Sequence, residues 1–288
     1  MHVILYDEGT CAALRVAELA EELARVAGVE VEARGEFVRH WATAPGKDAC
    51  ATTARAGGRT HGSAPTTVEG LAKALARARV VDPMSRLQPE REPTAVEIAA
   101  EQRVLDTPGR AAVGILYDGA VAQWWMGEWM EGAEEGECHI LLTARLLGTF
   151  MPDDHRWHAH TVLLGEPALI STTGLVQAPA RPREYYQGQG LATTGLMPRE
   201  VVEAELQQRL ADRMLLPDDP RINAAALGCA LQAIAFHVTG EAFCEEPTCR
   251  LYNARRQEEL IRSQCSEDAG LCERHDALFR GLREGRRG

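Results

Sequence analysis

An α/β fold is the expectation for this 288-residue chain, and three features lead to it. The N-terminal 38 residues read strand, helix, strand. Further strand candidates are grouped between residues 138 and 172. From Ile222 to Phe236 the residues are apolar nearly all round a helix, which requires burial inside a layered fold.

Taken in order, residues 2–6 alternate into a short strand, and Asp7-Glu8-Gly9-Thr10 turns the chain. Thr10 is placed to cap a helix that begins near Cys11 and carries Leu14, Leu19, Leu23 and Val26 near one face. Gly28 ends it, and Val29–Val38 reads as a second strand broken by Gly35. Residues 41–66 are rich in Gly, Ala, Thr and Ser without apolar period, so a mobile surface insert is expected, with a substrate-covering loop as its functional alternative. Helices follow at 67–79 and 95–105, then a strand at 113–117. Ala120–Met130, with Trp124, Trp125 and Trp129, has the spacing of a helix packed on the sheet. Strands are expected at 138–142, 158–164 and 168–172, with Gly148–Asp154 as the hairpin between the first two. Residues 176–191 read as an irregular loop, and 198–214, 221–238 and 251–264 as helices. Domain organisation follows as 1–240 for the α/β body and 241–288 for a Cys-rich helical subdomain with a basic tail.

Hydrophobic residues make up 45% of the chain and charged residues 25%, both ordinary for a globular protein. The formal net charge of −11, from 42 acids against 31 bases, argues against nucleic acid or an anionic membrane as partner. Arg280, Arg283, Arg286 and Arg287 run against that balance and read as a solvated tail. No stretch approaches the roughly 18 consecutive apolar residues of a membrane span, and the N-terminus lacks the basic flank of a signal peptide. A cytoplasmic location is therefore expected. There, the eight cysteines suggest thiols or metal ligands more than disulfides. No phosphate-cradling loop, dinucleotide fingerprint or nucleophile elbow is present.

The segment that carries the functional reading is Leu231–Leu251, LQAIAFHVTGEAFCEEPTCRL. It resembles the active-site motif of the archaemetzincins, zinc peptidases with His-Glu-x-x-His, then x-x-Gly-x-x-His-Cys, four residues, Cys, one residue and Met. On that resemblance His237 falls on the second histidine, Gly240 on the turn glycine, and Cys244 and Cys249 on the two cysteines. The departures are Ala233 for the first histidine, Ile234 for the catalytic glutamate, Phe243 for the third histidine and Leu251 for the methionine. The strand series 139–143, 162–165 and 168–172 is similar to the strands that precede the active helix in that family. The blocks 174–186 and 249–254 resemble an uncharacterised group of metallopeptidase homologues. The resemblance covers about the second half of the chain and implies a zincin-like mixed sheet with a buried helix of the active-site type.

The same family carries a four-cysteine zinc site, which implies Cys244, Cys249, Cys265 and Cys272 here, with His275 as a substitute ligand. Four thiolates suit structural, tetrahedral zinc. Reduced, partly buried thiols and disulfides are the alternatives. A second candidate metal site is His155, His158 and His160, joined by Asp153, Asp154 or His237. His158 and His160 are two apart, so a strand directs both to one face. A polar hairpin with surface histidines is the plainer alternative. Glu241, beside His237, is a candidate for the missing base. Cys11, Cys138 and Cys229 read as structural thiols, and Tyr185, Tyr186 and Arg183 as cleft candidates.

Two functions follow from the resemblance: a metallopeptidase homologue with weak or lost activity, or a non-catalytic module that binds a peptide or protein ligand. A third is an enzyme of another class that uses His155–His160.

Overall fold

Val3 and Leu5 face one hydrophobic core, and Ile4 and Tyr6 face another. A strand buried on both sides in this way belongs to the middle of a sheet covered by helices on each face. The computed structural model describes residues 1–9, 11–43, 53–56, 59–63, 65–86, 91–107, 109–130, 133–134, 136–193 and 198–285.

Strand β1 (His2–Asp7) is followed by α1 (Val16–Ala27), β2 (Glu30–Ala33) and α2 (Phe37–Ala42). The strand expected over 29–38 is thus a strand and a helix. Gly35, at φ 70°, breaks the extended run, and Phe37, Val38 and Trp41 then bury one helical face. Hairpin β3 (Thr53–Ala56) and β4 (Arg59–Ser63) occupies the described part of the 41–66 segment. Residues 41–43 end α2 and its cap, whereas 44–52, 57–58 and 64, like Thr10, lie outside the described residues. Helices α3 (Val68–Arg77) and α4 (Ala95–Asp106) lead to β5 (Leu116–Asp118) and α5 (Gly119–Trp129). In α5, Trp125 and Trp129 enter the second core.

The middle of the chain holds β6 (Glu137–Thr143), β7 (Leu146–Met151), β8 (Arg156–His160), β9 (Val162–Leu163) and β10 (Ala168–Ser171). Strand β7 replaces the expected hairpin at Gly148–Asp154, and the turn is shorter. Gly148 reads as a turn residue, but it is needed inside the strand because a Cβ there would meet His158 O at 3.0 Å. The five-stranded sheet has the order β2-β1-β6-β10-β9, parallel except for β9. A second sheet is β5-β7-β8. Both are mixed, and the fold is mixed α/β.

The loop expected at 176–191 is instead α6 (Thr172–Gln177) and α7 (Arg183–Thr193). Ser171 Oγ caps α6 by accepting from Gly174 N at 2.8 Å. Tyr185 of α7 packs with Val202 and Leu206 of α8 (Arg199–Arg209) in a small third core. Then comes α9 (Ile222–Thr239), followed by α10 (Gln257–Cys265) and α11 (Glu273–Gly285). By length and composition α9 could cross a membrane, but 67% of it is buried in the fold against α1, β6 and β10. Gly240, at φ 75°, ends α9 in the left-handed conformation that glycine adopts without strain.

The basic tail is not a free solvated segment over its described part. It forms α11, where Phe279 is fully buried and Arg283 donates to Val26 O at the end of α1 at 2.7 Å. Arg286 and Arg287 lie outside the described residues.

At the carboxyl ends of β1 and β6, the fully buried Arg145 donates to Glu8 and lies 3.4 Å from Glu101. Arg79 and the Tyr117 hydroxyl converge on the same Glu101 carboxylate, at 2.6 Å each. This buried polar cluster stands at the end of the sheet where open α/β sheets commonly bind ligands.

Candidate metal centre

Beyond α9 the chain is folded back on itself by backbone bonds rather than by regular structure. Cys244 N donates to Leu251 O at 2.8 Å, and Cys249 N donates to Glu246 O at 3.0 Å. Glu246 N points at Cys244 Sγ at 3.4 Å. Arg250 N donates to Gly270 O at 2.7 Å, which ties this loop to the segment that enters α11. Cys272 stands immediately before α11, and His275 lies in its first turn.

The result is a group of four donors, Cys244, Cys249, Cys272 and His275, whose ligand atoms lie within 4.8 Å of one another. Cys244 Sγ and Cys272 Sγ are 3.8 Å apart. His275 Nδ1 is 3.1 Å from Cys272 Sγ and 3.5 Å from Cys249 Sγ. Zinc–sulfur bonds of about 2.3 Å place tetrahedral sulfur ligands about 3.8 Å from each other. Three thiols and an imidazole at these separations fit a structural zinc ion, and all four are free cysteines or a histidine without a carboxylate partner. Burial works against ionising Cys272, yet the N–H groups of His275 and Arg274 and the neighbouring thiols hold it below the usual thiol range. Burial pushes the Cys249 thiol up to about 12. Burial, with Arg274 nearby, holds His275 below the usual imidazole range, so its nitrogen keeps the lone pair a metal needs.

Cys265 is not in the group. It ends α10 with its sulfur 3.9 Å from Arg221 O, and burial raises its thiol to about 11. His275 occupies the fourth corner because α11 starts beside the loop, whereas the last turn of α10 faces the start of α9.

The second expected site is dispersed. His158 Nε2 meets Asp154 Oδ2 at 2.7 Å, and His160 Nε2 meets Thr149 Oγ1 at 2.7 Å. His155 sits at φ 54° in the turn, against Phe150. His237 Nδ1 lies 3.7 Å from Glu166 Oε2. Glu241 pairs with Arg274 at 3.2 Å. Ala233 and Ile234 are buried, and Phe243 is exposed. Among the described residues these histidines form no group of three or more metal donors. The cysteines read as structural, Cys138 and Cys229, are buried, and burial raises each thiol to about 12. Cys11 lies in a turn before α1, which starts at Val16 rather than at Cys11. Tyr185 is buried, while Tyr186 is exposed.

Between the β7–β8 hairpin and α9 lies a cleft of about 620 Å³. His158 and His160 form one wall, Gln232 and Gln264 the floor, and Tyr252 and Phe243 the far side. The sequence reading missed this floor. One signal was available: Gln232 is the one carboxamide within the apolar run 224–236, and its Nε2 donates to Tyr252 O at 3.1 Å.

Fold and site together define a mixed α/β protein with a Cys3His candidate metal centre. The chain belongs to DUF7001, a family of unknown function, whose sequence profile matches residues 4–278. A solved structure of a zinc-dependent peptidase from Methanocorpusculum labreanum (strain Z) is similar at a TM-score of 0.37 and 14% identity, over 96% of this chain and 99% of that one. No curated protein matches the chain.

Proposed function

We propose that the protein is an archaemetzincin-like scaffold that binds a peptide in its cleft without hydrolysing it, and that zinc serves only to hold the C-terminal loop to α11. One observation carries the reading. The positions that match the first histidine and the glutamate, Ala233 and Ile234, are apolar and buried, and the ion-pair partner of His237 among the described residues is Glu166. A peptidase zinc needs three protein ligands, an open position for water and a carboxylate to take the proton. The Cys3His set offers four protein ligands, a closed shell that leaves no place for a reacting water.

Elemental analysis tests this on the wild type, Cys244→Ser and His237→Ala, together with peptide hydrolysis with and without chelator. About one zinc per chain is expected, retained in His237→Ala and lost in Cys244→Ser, with no chelator-sensitive hydrolysis. A second zinc equivalent that depends on His237, together with chelator-sensitive cleavage, would overturn the reading.

A further inference from the structure

The cleft does not end at Phe243. It shares Phe243, Tyr252, Asn253 and Arg255 with a neighbouring depression of about 500 Å³ that adds Glu245 and Glu259. The two make one groove with acids at both ends: Asp153 and Asp154 on the hairpin, Glu245 and Glu259 beside the metal loop. Asp154 is engaged by His158, and Glu259 accepts from Arg255 N and Arg256 N. Asp153 and Glu245 have no ion-pair or hydrogen-bond partner among the described residues. The middle of the groove is apolar and aromatic, with Val162, Pro179, Phe243 and Tyr252. On its floor Gln264 is buried, its Nε2 donates to Arg250 O, and its Oε1 has no partner.

We infer that this groove selects a cationic peptide, one whose lysine or arginine side chains reach the carboxylates at the two ends while its backbone crosses the aromatic middle. The inference rests on the peptide-binding reading above and adds the ligand's charge. Free carboxylates at opposite ends reward positive charge at two points along an extended chain, and the net charge of −11 steers such a ligand inward. Among the described residues, Arg255 is the only arginine or lysine lining the groove, and it disfavours a uniformly basic ligand at that point. The aromatic faces of Phe243 and Tyr252 also attract ammonium and guanidinium groups.

The test is calorimetric titration of the full chain, at physiological salt, with three peptides of equal length. One alternates lysine with alanine; in the others glutamine or glutamate replaces lysine. The lysine peptide is expected to bind about tenfold or more tightly than the glutamine peptide, and the glutamate peptide to give no binding. Asp153→Asn with Glu245→Gln should weaken the lysine peptide by about 3- to 30-fold, the range for two partly exposed charge contacts. Glu200→Gln with Glu205→Gln makes the same charge change on exposed positions of α8 and should leave the affinity unchanged. If the α8 pair weakens binding as much as the groove pair, the attraction is bulk charge and the inference falls. Equal affinity for the glutamine peptide, lost in Phe243→Ala, also sinks it but leaves a peptide groove standing. No binding by any of the three peptides removes both the inference and the reading beneath it.

Discussion

His275 and His158 belong to two sets of donors that this protein arranges differently, one gathered around a point and the other spread along a hairpin. His275 Nδ1 is buried and faces two sulfurs, at 3.1 and 3.5 Å. His158 Nε2 is half exposed and already bonded to Asp154 at 2.7 Å. The first nitrogen belongs to donors from two separate segments, residues 244–249 and 272–275, that converge on one point. The second belongs to a hairpin in which His158 pairs with Asp154 and His160 with Thr149. Close spacing in sequence, as in His155, His158 and His160, sets a common strand or turn but not convergence. Convergence came from residues 244, 249, 272 and 275, which are brought together by backbone bonds between distant loops.

The comparison can be broken most directly at its strong side. Cys249→Ser should lose the zinc and destabilise the fold by more than about 3 kcal/mol, because structural zinc binding is folding free energy. A chelator should do the same to the wild type, read by elemental analysis and thermal melting. Zinc retention in Cys249→Ser would reverse the assignment.

A second experiment asks whether the other region can be rebuilt. Ala233→His with Ile234→Glu and Phe243→His restores the three missing motif residues, but positions 233 and 234 are in the core. Burying an imidazole and a carboxylate there without partners should cost about 3–5 kcal/mol and gain no second zinc. A stable variant that carries two zinc ions would show that α9 can turn this face toward the cleft.

His139 sharpens the comparison as a buried histidine with protein partners only. Its ring meets Tyr6 Oη at 3.2 Å and Glu137 Oε2 at 3.3 Å. Burial, reinforced by Arg34, His237 and His40, lowers its pKa to about 4 against the opposing pull of Glu137. The folded protein therefore keeps His139 neutral where the unfolded chain, titrating near 6.5, takes up a proton. Unfolding then binds protons, so stability falls as pH drops from about 6.5 toward 4, by at most about 3 kcal/mol. Chemical denaturation across that range, compared with His139→Gln, should show a flatter slope in the variant. Equal slopes would assign the acid sensitivity elsewhere.

The smallest effect belongs to the hairpin. His158→Ala with His160→Ala should change stability by about 1 kcal/mol or less and leave the zinc content unaltered. Loss of zinc in this variant would mean that the two histidines reach a metal after all.

Parts of this architecture were legible from the residues. The all-apolar run from Ile222 required a buried helix, and Gly240 marked its end. The Cys244–Cys249 spacing pointed to half of the metal loop. The choice between Cys265 and His275 was not legible, because it depends on which of two short helices starts beside that loop. Strand β7 was hidden by Gly148, whose missing side chain serves a close backbone approach rather than a turn. Helix α11 was hidden because its arginines suggested solvent, while Phe279 and Arg283 in fact dock on the body at α1.

By itself the sequence determined the α/β class, the central helix and the absence of the peptidase donors at 233, 234 and 243, since these depend on local pattern and residue identity. The tertiary structure alone decided which four donors meet, that Arg145 and Glu101 pair at the carboxyl ends of β1 and β6, and that acidic residues of distant segments line one groove. Those features join residues more than 25 positions apart, and no periodicity along a chain encodes which distant surfaces will be buried against each other.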